Sequence, residues 1–246
     1  MIVYAPAKLT LSLRCVGLRS DGLHLIDAEM VTLDLFDELV IEPEGCGLVI
    51  EGATVDVVAD EDNLVAKALR VAGRTAGVTL RKRIPSQAGL GGGSADAAAV
   101  LRWAQFGTTP SDVADAAGIG ADVAFCLIGG RARVTGIGEV IRPMPFVAQT
   151  LTLLTPPIAC PTPAVYRAWD QLGGPTNEES PNDLEAAALW VAPELARFRD
   201  ALGDATGLRP TLAGSGSSWF VPGAFPGSGR VVVQTTPAGW SPSRSD

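Results

Sequence analysis

The chain has 246 residues, of which 47% are hydrophobic and 19% are charged, and its formal net charge is −8. This length fills one large core or two modest ones, and the composition is that of a folded protein without the charge excess of a disordered chain. The negative charge argues against a nucleic-acid-binding protein, because such a domain carries a basic surface that replaces phosphate counterions.

The beginning of the chain shows no targeting signal. Met1 to Pro6 lead directly into a strand pattern, without a charged leader or a long apolar run. No window reaches the roughly 18 apolar residues that a membrane-spanning helix needs. We therefore expect a cytoplasmic protein that has no membrane partner.

The cysteines give no sign of a metal site or a disulfide framework. Cys15, Cys46, Cys126 and Cys160 lie far apart, without a C-x-x-C pair or a nearby histidine cluster. We expect all four to be small buried side chains.

Strand patterns dominate the first fifty residues. Apolar and polar residues alternate in Lys8–Leu13 and in Val31–Leu35, as in half-buried strands. Leu39–Glu42 and Leu48–Glu51 are two further short strands. These segments predict an antiparallel sheet.

Three helices, a strand and a hairpin are predicted next. The helices cover Asn63–Ala76, the alanine-rich run Ser94–Gln105, and a short segment from Thr109-Pro110 to about Gly118. The strand is Val78–Leu80, and the hairpin pairs Arg131–Val134 with Glu139–Arg142.

A new strand, Leu151–Leu154, suggests a domain boundary. We expect a first domain over residues 1–148, a second over 149–240 and a disordered tail over 241–246. The second domain has predicted helices from Thr162-Pro163, over Asp183–Trp190 and over Pro193–Leu202, and strands at Thr211-Leu212, Trp219–Val221 and Arg230–Gln234. Because strands and helices are grouped, the order favours an α+β fold over a doubly wound sheet.

The segment from Ile84 to Ala99 contains a glycine-rich loop between a predicted strand and a predicted helix. Four of the five residues Gly89–Gly93 are glycine, so backbone amides can turn inward, and the helix start adds unpaired N–H groups. The loop predicts a phosphate site, and its alternative interpretation is a flexible connector.

Two common phosphate loops do not fit. A Walker loop needs Lys and then Ser or Thr after its last glycine, whereas Gly93 is followed by Ser94-Ala95. A dinucleotide fingerprint needs Gly or Ala at the position of Ser94 and an acidic residue after a second strand, but Asp112 lies in a predicted helix.

Three separated segments together resemble the three motifs of the GHMP kinases. They are Ala5–Leu11, the glycine loop and Leu212–Ser218. Within this superfamily, Arg19–His24 resembles the R-x-D-G-Y-H signature of the diphosphocytidyl-methylerythritol kinases, Pro85–Ser94 resembles their extended loop, and Asn182–Glu185 resembles their N-D-L-E.

The resemblance implies a two-domain α+β GHMP kinase fold, with an N-terminal ATP-binding domain, a smaller C-terminal domain and the active site in the cleft between them. It implies transfer of the γ-phosphoryl group of ATP, with Mg²⁺, to the 2-hydroxyl of 4-diphosphocytidyl-2-C-methyl-D-erythritol, in isoprenoid precursor synthesis. The positions that correspond to the family's ATP site are Asn63, Pro85, Ser86, Gln87, Ala88, Gly89, Leu90, Gly91, Gly92, Gly93, Ser94 and Ala95, with Ser94 also a candidate Mg²⁺ ligand.

The resemblance also implies the catalytic residues. Asp122, in Gly118–Phe125, matches the family's catalytic aspartate, and Lys8 matches its active-site lysine. A carboxylate that accepts the proton of a hydroxyl contributes roughly 10² to 10⁴-fold to the rate, and an ammonium offsets negative charge on the reacting groups. Residue chemistry alone also allows a turn or helix-cap role for Asp122 and a solvated strand position for Lys8.

The substrate positions implied by the resemblance are Thr10, Leu23, His24, Gly214 and Ser215. His24 is the only histidine, and its family counterpart contacts the cytosine ring. Leu23 replaces a tyrosine and Thr10 an asparagine of the family pattern, and Ala124 replaces the proline after the catalytic aspartate. His24 as a structural residue and Asn63 as a helix cap are the alternatives.

Two other functions remain open at this point. One is a GHMP kinase for another small alcohol, such as homoserine or a mevalonate derivative. The other is a nucleotide-binding regulator without catalysis. In each case we expect a small-molecule ligand, no nucleic acid, and a monomer or weak homodimer.

Overall fold

The computed structural model describes residues 1–52, 59–176 and 180–242. Within these ranges the chain forms ten strands and seven helices, and the expected α+β class is confirmed. The last four residues of the predicted tail, 243–246, lie outside the described residues.

The first two strands, β1 (Ile2–Leu18) and β2 (His24–Glu42), form a long antiparallel hairpin, from which the sheet extends through β2. The two strands predicted within β2 are one continuous strand, because Asp37 between them is fully buried instead of marking a turn. Register shifts between Pro6 and Lys8 and between Thr10 and Ser12 interrupt the regular alternation of β1. Such bulges redirect side chains, and here they flank Lys8 and Thr10.

The remaining elements have the following bounds. The strands are β3 (Leu48–Glu51), β4 (Gly77–Arg81), β5 (Arg131–Gly136), β6 (Val140–Met144), β7 (Thr150–Leu154), β8 (Thr211–Leu212), β9 (Trp219–Pro222) and β10 (Arg230–Thr236). The helices are α1 (Leu64–Val71), α2 (Gly92–Trp103), α3 (Pro110–Ile119), α4 (Val123–Ile128), α5 (Thr162–Gln171), α6 (Glu185–Val191) and α7 (Leu195–Thr206).

The strands join into one ten-stranded sheet. On one side, β2 pairs with β1, β4 and β5, and β4 pairs with β3 in parallel. On the other side, β7 lies between β9 and β10, and only the end of β10, at Thr235 and Thr236, pairs with β2 among the described strands. We propose the division after residue 148 for the folded chain because β7 to β10 pair mainly with one another.

Helix α2 is the centre of the core. Ala95 to Leu101 are all buried, seven residues in succession, and α2 packs against β1, α1 and α4. Small alanine side chains allow this close approach of helix and sheet. The start of α2 and the glycine loop before it therefore lie against β1, and Lys8 N donates a hydrogen bond to the carbonyl oxygen of Leu90 at 3.0 Å.

Several sequence predictions need correction. Helix α1 ends at Val71 instead of Ala76, because Gly73 adopts a positive φ of 61° that ends the helix. Helix α4 was not predicted, since five of its six residues, Val123–Leu127, are buried and show no amphipathic period. Cys46 is exposed and Cys15 half-buried, so only Cys126 and Cys160 are buried as expected. None of the described helices has the length and hydropathy to cross a membrane.

Candidate active site

A cavity of about 560 Å³ gathers side chains from both halves of the chain. It contains all the residues predicted as catalytic or substrate-binding: Lys8, Thr10, Leu23, His24, Asp122, Gly214 and Ser215. They come from β1, the β1–β2 turn and the start of β2, the segment before α4 and the β8–β9 loop. The fold thus brings together residues as far apart in sequence as Lys8 and Ser215.

Lys8 and Asp122 form an ion pair in this cavity. Lys8 Nζ lies 3.2 Å from Asp122 Oδ2, and the two side chains are 6% and 31% exposed. The ammonium also donates a hydrogen bond to Thr10 Oγ1 at 3.2 Å. Asp122 precedes α4 but makes no capping hydrogen bond with the described backbone, so its carboxylate faces Lys8. The partly open carboxylate can accept the proton of a hydroxyl group that enters the cavity, and the almost buried ammonium can offset the negative charge that results.

The side chain of His24 is held by three residues of α5. Its ring stacks on Tyr166, with centroids 4.8 Å apart, and meets the edge of Trp169 at 5.5 Å. His24 Nε2 lies 2.8 Å from Asp170 Oδ1. Burial raises the pKa of the Tyr166 hydroxyl, which therefore stays neutral.

Sequence reasoning missed these α5 residues. Tyr166 and Asp170 are four positions apart on one helix and therefore share a face, which is the only local signal that could have grouped them. Their meeting with His24 depends on how α5 packs.

The β8–β9 loop closes the cavity beside Lys8. Gly214 has a φ of +60°, and a Cβ there would lie 3.6 Å from both Lys8 Nζ and Thr10 Oγ1. Ser215 Oγ is 2.8 Å from Thr162 Oγ1. Asn182 Nδ2, which is buried, donates to the carbonyl oxygens of Leu212 (2.8 Å) and Gly214 (2.7 Å). The buried amide therefore fixes the position of the loop.

The glycine loop borders a second cavity of about 340 Å³. Five of the predicted ATP-site residues line it: Asn63, Ser86, Gln87, Gly92 and Gly93. Asn63 Oδ1 also accepts a hydrogen bond from Val65 N at 2.9 Å, so the helix-cap interpretation of this residue is correct as well.

The other predicted ATP-site residues lie beside this cavity, not in its lining as the described residues form it. They are Pro85, Ala88, Gly89, Leu90, Gly91, Ser94 and Ala95, of which Ala88, Leu90 and Ala95 are buried. A Cβ at Gly89 would collide with the carbonyl oxygens of Ala213 and Gly216, and one at Gly91 would lie 2.7 Å from Lys8 Cγ. These two glycines therefore let the loop approach the β8–β9 loop and β1.

A buried charge cluster lies under the start of α2. Lys82 Nζ donates to Asp37 Oδ2 at 2.5 Å and to Asp96 Oδ2 at 2.7 Å. Asp37 Oδ1 also accepts the backbone N–H groups of Arg83 and Ile84, whereas Asp96 Oδ1 has no hydrogen-bond partner among the described residues. One ammonium cannot neutralise two buried carboxylates, so the one with fewer donors takes up a proton. Burial raises the pKa of Asp96 to about 8, in spite of Lys82.

The described residues contain no group of three or more His, Cys, Asp or Glu side chains that could hold a metal ion by themselves. Ser94, the candidate Mg²⁺ ligand, is half-buried in the first turn of α2. A hydroxyl at the end of a glycine-rich cradle suits Mg²⁺, which usually takes one or two protein ligands together with phosphate oxygens and water.

The chain is similar in sequence to a known protein family. A family model described as the GHMP kinases N terminal domain matches residues 62–130, which include the glycine loop and Asp122. The 4-diphosphocytidyl-2-C-methyl-D-erythritol kinase of Paracoccus denitrificans is 35% identical over 258 residues, and the match covers 96% of this chain and 93% of that kinase.

Solved structures agree with the sequence match. A crystal structure of 4-(cytidine 5'-diphospho)-2C-methyl-D-erythritol kinase is 33% identical, with a TM-score of 0.75 over 96% of this chain and 99% of the other. The homoserine kinase of Cytophaga hutchinsonii has a TM-score of 0.65 over 97% of this chain and 95% of its own, at 20% identity. The second likeness shows the fold alone.

Proposed function

Because the chain belongs to the 4-diphosphocytidyl-2-C-methyl-D-erythritol kinases, a family of GHMP kinases, we propose that it phosphorylates the 2-hydroxyl of 4-diphosphocytidyl-2-C-methyl-D-erythritol. ATP donates the γ-phosphoryl group, and the products are the 2-phosphate and ADP, in isoprenoid precursor biosynthesis. The observation that carries the proposal is the Lys8–Asp122 ion pair, in one cavity with His24.

Asp122 is the proposed general base. A hydroxyl is a weak nucleophile near neutral pH, and a carboxylate within hydrogen-bond reach takes its proton as the new O–P bond forms. Lys8 offsets the negative charge that develops on the nucleophile and the phosphoryl group. Thr10, which accepts a hydrogen bond from Lys8, keeps the ammonium directed into the cavity.

The glycine loop and the start of α2 are the proposed phosphate site. The N–H groups of a helix start have no partner within the helix and attract anions. Gly93, where a Cβ would have Leu64 Cδ1 as its nearest neighbour at 3.6 Å, leaves room for phosphate oxygens beside them. Ser94 and the phosphates would hold Mg²⁺, which when bound neutralises phosphate charge. Asn63, Ser86 and Gln87 line the adjoining cavity and are the proposed contacts of the nucleoside.

The part of the first cavity around His24 and Leu23 is the proposed site of the cytidine base. Leu23 is 46% exposed there and offers an apolar surface, while the imidazole supplies hydrogen bonding. Gly214 and Ser215 close the site near Lys8. In this proposal the base and the reacting hydroxyl lie at two ends of one cavity.

The comparisons favour this function over the other two. The homoserine kinase likeness is confined to the fold, at 20% identity. A regulator without catalysis has no need of Lys8 and Asp122 as a pair. A cytoplasmic location, a monomer or weak homodimer and the absence of a nucleic-acid partner belong to the same proposal.

The test is ADP release from Mg²⁺-ATP with a panel of alcohols: the cytidine-bearing methylerythritol, homoserine and mevalonate. We expect turnover with the first compound and little with the others. Turnover with homoserine or mevalonate alone would replace the proposed substrate, and ATP binding without any turnover would support the regulator.

A further inference from the structure

His24 makes unequal use of its two ring nitrogens. Nε2 lies 2.8 Å from Asp170 Oδ1, and the side chain is 10% exposed. The structure records no hydrogen bond for Nδ1 within the described part of the chain, nor does Nδ1 belong to the buried atoms without a partner. Nδ1 is therefore open to the cavity that His24 lines.

Asp170 decides which nitrogen carries the hydrogen of the neutral ring. A carboxylate only accepts hydrogen bonds, so Nε2 must donate. The ring then has one hydrogen, on Nε2, and Nδ1 keeps a lone pair that accepts. Stacking on Tyr166 and the edge of Trp169 hold the plane of the ring, so the direction of this acceptor is also set.

An acceptor at this place distinguishes the two pyrimidine bases. Cytosine carries an amino group at C4, which donates, and uracil carries a carbonyl oxygen at the same place, which accepts. Two acceptors facing each other leave both without a hydrogen and cost the binding free energy of an unpaired polar group. Arg167 and Glu139 also line the cavity and are the nearby charged alternatives for base contact.

We propose that Asp170 is a positioning residue, which keeps the hydrogen of His24 on Nε2 so that Nδ1 accepts a hydrogen bond from the cytosine amino group and rejects uracil. The inference rests on the proposed function, because it assigns the base-recognition end of the same cavity. Asp170 itself does not touch the reacting atoms.

The variant Asp170→Asn tests whether the carboxylate of Asp170 sets the tautomer of His24, because it removes the charge with little change in side-chain size. Its amide has nearly the same size but lacks the charge that holds the hydrogen on Nε2, and its NH2 group can donate to Nε2. We therefore expect the ring hydrogen to shift toward Nδ1, which turns the acceptor into a donor. We expect the ratio of kcat/KM for the cytidine substrate to kcat/KM for its uridine counterpart to fall about tenfold or more, mainly through KM. KM for ATP should stay within about twofold.

Asp200→Asn is the matched control. Asp200 is also a half-exposed helical aspartate with a hydrogen-bonded partner, Arg199, but it lies on α7 outside the first cavity. This variant should keep the wild-type selectivity ratio. An unchanged ratio in Asp170→Asn, or an equal fall in both variants, would overturn the inference.

The tautomer can be measured directly because His24 is the only histidine of the chain. In protein labelled with ¹⁵N-histidine, wild type at pH 8 should show hydrogen on Nε2 and a free Nδ1, and Asp170→Asn should shift the hydrogen toward Nδ1. Hydrogen on Nδ1 in the wild type would overturn the inference. Failure of the wild type to phosphorylate the cytidine substrate would instead reject the proposed function, since the nitrogen spectrum does not depend on turnover.

Discussion

The ion pair between Lys8 and Asp122 combines low exposure of the ammonium with partial exposure of the carboxylate. Burial of Lys8 beside Thr10 holds the charge in place, whereas Asp122 is open to a ligand. The same two residues were found in the sequence by motif alone. The distance of 3.2 Å between Lys8 Nζ and Asp122 Oδ2 supports the proposed role of Asp122 as the base, which can be tested.

We expect Asp122→Asn to lower kcat by roughly 10² or more while ATP and the alcohol bind within about tenfold of wild type. The amide keeps the size of the side chain but cannot take the hydroxyl proton. Steady-state kinetics under conditions where chemistry limits turnover measure the effect. Asp115→Asn, an exposed aspartate of α3, is the control and should behave as wild type. A kcat within threefold of wild type in Asp122→Asn would exclude Asp122 as the base.

Asp96 should make stability depend on pH. Its pKa is raised from 3.8 to about 8, first of all by burial. Between these values the folded chain retains a proton that the unfolded chain has lost, so the free energy of unfolding falls as pH rises. Asp21 and Asp27 have pKa values lowered by their arginine partners, so they titrate below this window.

The variant Asp96→Asn has no proton to lose at this position, and we expect a flatter dependence of its stability on pH between about 4 and 8. Urea unfolding of both proteins at several pH values in this window is the measurement. Parallel curves for wild type and variant would show that Asp96 is ionised in the folded chain throughout.

Among the elements, the glycine loop needs glycine for two different reasons, which are packing against β1 and space for phosphate. Gly91, with a φ of +67°, lies so close to β1 that a Cβ would meet Lys8 Cγ at 2.7 Å, whereas a Cβ at Gly93 would have Leu64 Cδ1 as its nearest neighbour at 3.6 Å. Gly91 is thus needed for packing of the loop on β1. Gly93 has room for a side chain but borders the proposed phosphate site.

We expect Gly93→Val to weaken ATP binding at least about tenfold with little change in melting temperature, because its side chain would occupy the space of the phosphates. Calorimetric titration with ATP measures the effect. Gly118→Ala, at an open position of α3, should leave affinity unchanged, and Gly91→Val should lower stability as well as affinity. Normal ATP affinity in Gly93→Val would remove the start of α2 from the phosphate site.

The segment before α6 joins β1 to the β8–β9 loop. Asn182 forms a β-bridge with Leu13 of β1 and holds two carbonyl oxygens of the loop through its amide. Asp183 pairs with Arg14 of β1 at 2.7 Å and accepts from Cys15 N at 3.0 Å. The N-D-L-E signature therefore acts here as a connection between two walls of the cavity.

Asn182→Ala should leave the carbonyl oxygens of Leu212 and Gly214 without these donors, at a cost of about 1 to 3 kcal/mol for each group that stays buried. Chemical denaturation measures the loss of stability, and we also expect a raised KM for the alcohol because Gly214 is released. Asn182→Asp keeps the acceptor for Leu184 N but loses the donors, so it should be about as harmful. Wild-type stability in both variants would contradict the connecting role.

For the molecule as a whole, the two cavities differ in which half of the chain forms them. The first is lined by both halves, for example by Lys8 and Asp122 together with Thr162 and Gly214. The second is lined by residues from Asp60 to Asp96 alone, among the described residues. A ligand of the first cavity therefore bridges the two proposed domains, whereas a ligand of the second contacts one.

Hydrogen exchange should report this difference. We expect the cytidine substrate to protect amides in both halves, including the β8–β9 loop, and ATP alone to protect mainly the glycine loop and α1. Mass spectrometry of peptides from free and ligand-bound protein is the measurement. Strong protection of the β8–β9 loop by ATP alone would place the nucleotide in the first cavity instead.

Local patterns were enough to predict the α+β class, most strands and helices and the glycine loop, whereas the roles proposed for Lys8 and Asp122 came from the resemblance to the GHMP kinase motifs. These features depend on residue periodicity, on glycine and proline at turns, and on motifs that are short in sequence. Each can be read without knowing how distant segments pack. The same holds for the start of α3, where Thr109 and Asp112 form a capping box.

Only the tertiary structure decided the contacts across long sequence separations. His24 meets Tyr166, Trp169 and Asp170 because α5 packs against the start of β2, and Lys82 meets Asp37 and Asp96 because three elements converge beneath the glycine loop. Helix α4 also escaped prediction, since burial of five of its six residues removes the periodic signal of a helix surface. For the contacts of His24 and Lys82 the physical reason is that periodicity reports which face of one element is buried, while the partner on that face is chosen by the packing of the whole chain.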